Sequence, residues 1–69
     1  MKRVFTVSEL LDVLYKNGWQ LHSQKGSHRQ FTHPLKRGRV TVPGKLSATV
    51  HPKTLKSILK QAGLPTEPL

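Results

Sequence analysis

The sequence predicts an α+β domain in which two helices pack on one face of a three-stranded antiparallel sheet. Three observations lead to this order, α-β-β-β-α. A segment near each end of the chain carries apolar residues at helical spacing. The stretch between them alternates apolar and polar residues, which is typical of half-buried strands. Short turns that contain glycine separate the alternating runs, so neighbouring strands are expected to be antiparallel.

The first helix is predicted over "TVSELLDVLYKNG", residues 6–18. Thr6 is a candidate N-cap, and Glu9 follows three residues later, which is the signature of a capping box. Gly18 is the expected stop signal. The apolar residues follow i, i+3, i+4, i+7 spacing and should form one stripe against the core. They are Val7, Leu10, Leu11 and Leu14.

Three strands are predicted in "WQLHSQ", "HRQFTH" and "RVTV". Side chains alternate between the two faces of a strand, and the apolar set is expected to face the helices. This set is Trp19, Leu21, Phe31, Val40 and Val42, and Ser23 has the same parity. The polar set of the opposite face is Gln20, His22, Gln24, His28, Gln30, Thr32, Arg39 and Thr41. Residues 43–52, "PGKLSATVHP", are expected to form an irregular connector.

The second helix is predicted in "HPKTLKSILKQAGLP", residues 51–65. Pro52 suits the first helical turn, and Gly63 and Pro65 are stop signals. The apolar stripe of this helix is Leu55, Ile58, Leu59 and Ala62. The resulting order is that of the double-stranded RNA-binding domain. One domain over residues 1–69 is expected, with a flexible tail from about residue 65.

The chain is strongly basic, with twelve Lys and Arg against three Asp and Glu in 69 residues. No acidic residue lies between Asp12 and Glu67, where ten of the basic residues fall. Nucleic acid is the expected partner of a chain with this excess of positive charge, and an acidic protein or an anionic membrane is the alternative. Because the chain has no cysteine and no long apolar run, a soluble cytoplasmic protein is expected.

The four histidines do not suggest a metal site. His28 and His33 have opposite parity on one predicted strand, and no cysteine or nearby carboxylate completes a ligand set. The few acidic residues are also badly placed for a nucleophilic triad. We therefore expect neither a metal nor another cofactor.

Metal-free RNA cleavage fits the residues better. In that reaction the ribose 2′-hydroxyl attacks the adjacent phosphate, so a base, an acid and nearby cations are needed. His28 begins a strand on the polar face, beside a turn glycine, and Lys25 and Arg29 flank it. An exposed histidine on a non-catalytic RNA-binding face is equally compatible with this spacing. His22 has the parity to join His28, whereas His51, next to Pro52, has the position of a helix-entry residue.

The combination of "NGW", "QKGSHRQF", "HP", "VTVP" and "TLKSILKQAGL" resembles the HicA toxins of bacterial and archaeal toxin–antitoxin systems, over about residues 7–64. The resemblance implies a translation-independent mRNA interferase, that is, an endoribonuclease that halts growth by cutting mRNA. It also implies a HicB antitoxin that covers the active site. The catalytic histidine of the family's Gly-Ser-His block corresponds to His28. Many members carry a basic residue and a histidine after "VP", where this chain has Gly44 and Lys45.

Three groups of site residues follow from the sequence and the resemblance. His28 is the expected general base or acid. The second proton-transfer group is open, with His22 and His51 as candidates and Lys45 as a further basic residue. The residues expected to contact RNA are Lys25, Gly26, Ser27, Arg29, Lys53, Lys56 and Lys60.

Overall fold

A computed structural model describes residues 4–66, and the end of the predicted tail, residues 67–69, lies outside them. Two helices and five strands are present in the described residues. They are β1 (Phe5–Thr6), α1 (Val7–Lys16), β2 (Gln20–Lys25), β3 (His28–Thr32), β4 (Val40–Val42), β5 (Thr49–Val50) and α2 (Pro52–Gln61). The predicted α+β class and the α-β-β-β-α order are confirmed, with two very short strands added.

The ends of α1 follow from the sequence signals. The Thr6 hydroxyl accepts the backbone N–H of Glu9 at 3.2 Å, and the Glu9 carboxylate accepts the backbone N–H of Thr6 at 2.9 Å. Two N–H groups that a helix start leaves unpaired are thereby satisfied. Gly18 follows the C-cap residue Asn17 with a φ of +88°, a value that favours glycine. The predicted capping box is confirmed.

The ends of α2 are held by side chains from different parts of the chain. Nδ1 of the N-cap residue His51 accepts the backbone N–H of Lys53 at 3.2 Å, and Pro52 occupies the first helical position. At the other end, Nζ of Lys36 donates to the carbonyl of Ala62 at 2.9 Å. A cation at a helix C-terminus is favourable because the helix dipole is negative there.

The main sheet has the order β2-β3-β4, and both pairings are antiparallel. Its helix-facing side forms one core with α1 and α2, as predicted. The buried apolar residues are Val7, Leu10, Leu11, Leu14, Trp19, Phe31, Val40, Val42, Val50, Leu55, Ile58, Leu59 and Ala62. Leu21 was expected among them, but 43% of it is exposed. It lies on β2, an edge strand, and the helices do not cover it.

A bulge in β2 changes the predicted faces. The register shifts between Leu21 and Ser23, so that Ser23 pairs with Gln30 and Gln24 pairs with Arg29. Paired residues share a face, so the predicted faces of Ser23 and Gln24 were wrong. A bulge inserts one residue into one strand and reverses the alternation beyond it. Its consequence for the site is that Lys25 pairs with His28.

The connector after β4 is more regular than predicted. Thr49 and Val50 form β5 and pair with Thr6 and Phe5 of β1 in a second, two-stranded antiparallel sheet. The side chain of Val50 is buried in the core. Two-residue strands are too short to show an alternation pattern, which is why the sequence did not indicate them. In the range 4–66 no helix has the length and apolarity needed to cross a membrane.

Candidate functional site

His28 is presented at the tip of a tight hairpin. Strand β2 ends at Lys25 and β3 begins at His28, so Gly26 and Ser27 alone form the loop. Gly26 has a φ of +59°, which matches two-residue hairpin loops that place glycine first. A Cβ atom at Gly26 would meet nothing within 4 Å. The loop and the His28 ring are therefore open to a large ligand.

An open cleft of about 500 Å³ begins at His28 and extends past strand β4 to helix α2. The remaining residues that line it are Thr41, Pro43, Lys53, Thr54, Ser57, Ile58 and Gln61. Among these described lining residues, Lys53 alone carries a fixed positive charge. The cleft thus combines a titratable imidazole, one ammonium group and several uncharged hydrogen-bonding side chains. Such a set can hold a phosphate and transfer a proton beside it.

Lys25 lies next to the cleft through its pairing with His28, and its side chain is exposed. Lys56 and Lys60 are exposed on α2, but neither lines the cleft. The exposed turn residues Gly26 and Ser27 precede His28 directly. Of the lysines expected to contact RNA, Lys53 thus lines the cleft together with His28, and Lys25 is paired with His28 in the sheet.

Arg29, an expected RNA contact, is buried and bonded to backbone carbonyls of the protein. Only 8% of its surface is exposed, and its Nη1 donates to the carbonyls of Ser27 at 3.2 Å and Gly44 at 2.7 Å. A buried guanidinium needs such acceptors, because an unpaired buried charge is costly. We interpret Arg29 as a residue that holds the backbone on both sides of the cleft, instead of the expected RNA contact. The strand parity that places Arg29 with Phe31 was visible in the sequence.

The two candidates for a second proton-transfer group lie outside the cleft. His22 is exposed and lies at the bulge in β2. In the sheet order β2-β3-β4, strand β3 separates β2 from β4, which lines the cleft. His51 caps α2 and lines a neighbouring cavity of about 240 Å³, which shares Pro43, Thr54 and Ile58 with the cleft. Because Nδ1 of His51 accepts the Lys53 N–H, only Nε2 is available to a substrate.

His33 has a packing role. Its Nδ1 accepts the backbone N–H of Leu35 at 3.0 Å, so the neutral ring carries its proton on Nε2, which lies 3.0 Å from the carbonyl of Asn17. The ring also meets the Trp19 indole edge to face, with centroids 5.2 Å apart. Within residues 4–66, no group of three or more His, Cys, Asp or Glu could hold a metal ion.

Several lining residues were not identified from the sequence. Thr54, Ser57 and Gln61 recur at i, i+3 and i+7 on α2, beside its apolar stripe. That spacing was available as a signal for a shared face. Which way the face points depends on how α2 packs beside β4, and spacing alone does not supply this.

A comparison with protein families identifies the family of this chain. The family model described as the HicA toxin of bacterial toxin–antitoxin systems matches residues 7–64. The chain belongs to the HicA toxin family. The matched range includes His28 and every other residue that lines the cleft in this HicA family member. Membership in a toxin–antitoxin family implies an antitoxin as partner. No curated protein sequence matches the chain significantly.

Proposed function

We propose that this HicA family member is a metal-independent endoribonuclease that cuts mRNA with His28 as its general base or acid. The observation that carries the proposal is the position of His28, exposed at the mouth of a cleft that also contains Lys53. General acid–base catalysis requires a titratable group that the substrate can reach. A basic chain with such a cleft is suited to a polyanionic substrate.

The reaction would proceed by attack of a ribose 2′-oxygen on the adjacent phosphorus. The base removes the 2′-hydroxyl proton, the bond from phosphorus to the 5′-oxygen breaks, and an acid returns a proton to that oxygen. The products are a 2′,3′-cyclic phosphate and a free 5′-hydroxyl. Lys53 and Lys25 would balance the charge that builds up on the phosphate oxygens. His28 would perform one of the two proton transfers.

The main experiment compares the wild-type chain with His28→Ala. Since His28 is exposed, the substitution should change stability by no more than about 0.5 kcal/mol. Cleavage of single-stranded RNA should fall by about 10²- to 10⁴-fold, and growth arrest on expression should disappear. RNA binding should persist. Undiminished cleavage by the variant would remove His28 from the mechanism, and loss of wild-type cleavage in EDTA would contradict metal independence.

The second proton-transfer group is tested with His22→Ala and His51→Ala. If the replaced histidine takes part in proton transfer, its substitution should remove one limb of the pH–rate profile and leave RNA affinity unchanged. His51→Ala also removes an N-cap, which costs about 1 kcal/mol, so its activity is compared well below the unfolding temperature.

A non-catalytic RNA-binding module is the second candidate. One observation favours it: within residues 4–66, no side chain or backbone group hydrogen-bonds to the His28 ring, whereas a catalytic base is commonly oriented by a third group. On this alternative, the wild-type chain would bind RNA without cutting it. If the chain is a nuclease, as proposed, the bound RNA itself orients the His28 ring.

The proposed antitoxin is a HicB-type protein that covers the cleft. Its binding should block cleavage and protect Lys53 from chemical acetylation, while Lys16 on α1 stays reactive. Equal reactivity of the two lysines in the complex would mean that the antitoxin binds elsewhere.

A further inference from the structure

The α2 side of the cleft presents a row of uncharged polar residues. Thr54, Ser57 and Gln61 all line the cleft. At 100° per residue they fall within an arc of about 60° on the helix, so they form one continuous strip. In a chain with a formal net charge of +9, this strip has no charge of its own.

The hydrogen-bonding groups of this strip are unused. In the part of the chain that the structure describes, none of the three side chains makes a hydrogen bond to the protein, whereas those of Gln24 and Gln30 do. The Gln24 amide donates to the Gly26 carbonyl, and the Gln30 amide oxygen accepts from Arg39. The hydroxyls of Thr54 and Ser57 and the amide of Gln61 are therefore available to a ligand.

These groups are of the kind that reads nucleotide bases. Contacts with phosphate give affinity and no sequence information, while base edges are distinguished by donors and acceptors. In a paired RNA helix the base edges are poorly accessible, whereas unpaired bases can turn outward and be read on their Watson–Crick edges. The volume of the cleft, about 500 Å³, falls within the usual range for ligand sites.

We propose that the cleft takes one unpaired nucleotide next to the scissile phosphate and that Ser57 and Gln61 determine which base is accepted. This inference rests on the proposed function, because it places the base beside the phosphate that His28 acts on. Lys53, on the same helix, contacts the phosphate and contributes affinity for any sequence. Specificity and affinity are therefore carried by different residues of α2.

The test measures base preference in two independent ways for the wild type, Ser57→Ala and Gln61→Ala. Both residues are exposed, and alanine favours a helix more than either, so the variants should fold. In the first arm, a random single-stranded RNA pool and its duplex form are cut, and the cleavage sites are sequenced. In the second arm, the same pool is selected for binding to chains that also carry His28→Ala.

We expect the wild type to cut single strands with a preference at one position and to leave duplexes intact. In Gln61→Ala, the discrimination at that position should fall about tenfold, because one base contact is lost. The overall affinity and its salt dependence should stay the same. Gln20→Ala, a matched change of an exposed glutamine on β2 outside the cleft, should keep the wild-type preference.

An unchanged base preference in both Ser57→Ala and Gln61→Ala would overturn the inference and leave the proposed nuclease intact. Equal cleavage of duplex and single strand would also overturn it, since a paired nucleotide would then reach His28. If the wild type cuts no RNA, the proposed nuclease fails. The binding arm then still decides whether α2 reads a base.

Discussion

Nη1 of Arg29 donates a hydrogen bond to the carbonyl of Gly44 at 2.7 Å, although the two residues lie fifteen positions apart. The same nitrogen donates to the carbonyl of Ser27, the residue immediately before His28. One buried side chain thus ties the hairpin that carries His28 to the loop that follows β4. Pro43, which precedes Gly44, forms part of the cleft. Arg29 therefore holds two parts of the cleft at a fixed separation.

Replacement of Arg29 by Gln should lower the free energy of unfolding by about 2 kcal/mol, because a charged donor is lost and a carbonyl loses its partner. Urea denaturation measures this change. The exposed Arg39, which bonds to Gln30, provides the matched control. Arg39→Gln should change stability by less than about 0.5 kcal/mol. If Arg29→Gln keeps full stability and binds RNA more weakly, the phosphate contact expected from the sequence is correct.

Replacement of Gly18 by Ala should destabilise the fold more than the same change at Gly38. The two glycines have nearly equal φ values, +88° and +86°, so the strain of a left-handed alanine, about 1–2 kcal/mol, is common to both. At Gly18 the new Cβ would lie 2.7 Å from Nε2 of His33, whereas at Gly38 it would meet nothing within 4 Å. We expect an additional loss of about 1 kcal/mol at Gly18, because the ring must leave its carbonyl partner.

Thermal or urea unfolding of both glycine variants gives this difference directly. Adding His33→Ala to each should remove the difference, since the crowded ring is then absent. Equal destabilisation by the two single variants would show that the loop before β2 can relax without moving His33.

Lys36→Gln should lower the free energy of unfolding by about 1 kcal/mol, because the C-terminus of α2 loses a cation bound to the Ala62 carbonyl. The adjacent exposed residue Arg37 carries the same charge and makes no such bond within the described chain. Arg37→Gln therefore controls for net charge, and its effect should stay below about 0.5 kcal/mol. Comparable losses in the two variants would attribute the effect to total charge. Amide hydrogen exchange in the last turn of α2 gives a second, local measurement.

Lys53→Gln should weaken RNA binding and also make it less sensitive to salt. Each phosphate contact to single-stranded nucleic acid adds about 0.7 to the slope of log affinity against log salt concentration. Removing the Lys53 contact should reduce the slope by that amount. Lys16→Gln, on α1 and outside the cleft, changes the net charge equally and should leave the slope unchanged. Identical slopes for the two variants would show that Lys53 does not contact a phosphate. Filter binding or fluorescence anisotropy at several salt concentrations supplies the slopes.

The local structure was largely predictable from the sequence because its causes are local. The capping box at Thr6, the proline in the first turn of α2 and the two apolar stripes each act within a few residues. The turn glycine beside His28 and its strand parity are also read from neighbouring positions, and they made His28 a candidate whose catalytic role was implied by the family resemblance. The basic character of the surface is a property of composition and needs no structure.

Only the tertiary structure decided how these parts combine. A bulge in β2 reverses strand parity from Ser23 onward and brings Lys25 opposite His28, and no local pattern specifies where a bulge occurs. The burial of Arg29 depends on the distant carbonyl of Gly44. Packing of α2 beside β4 brings Ser57 and Gln61 into the same cleft as His28. The sequence by itself thus determined the elements and the candidate proton carrier. The cleft depends on contacts between residues far apart in the chain, which periodicity and spacing do not encode.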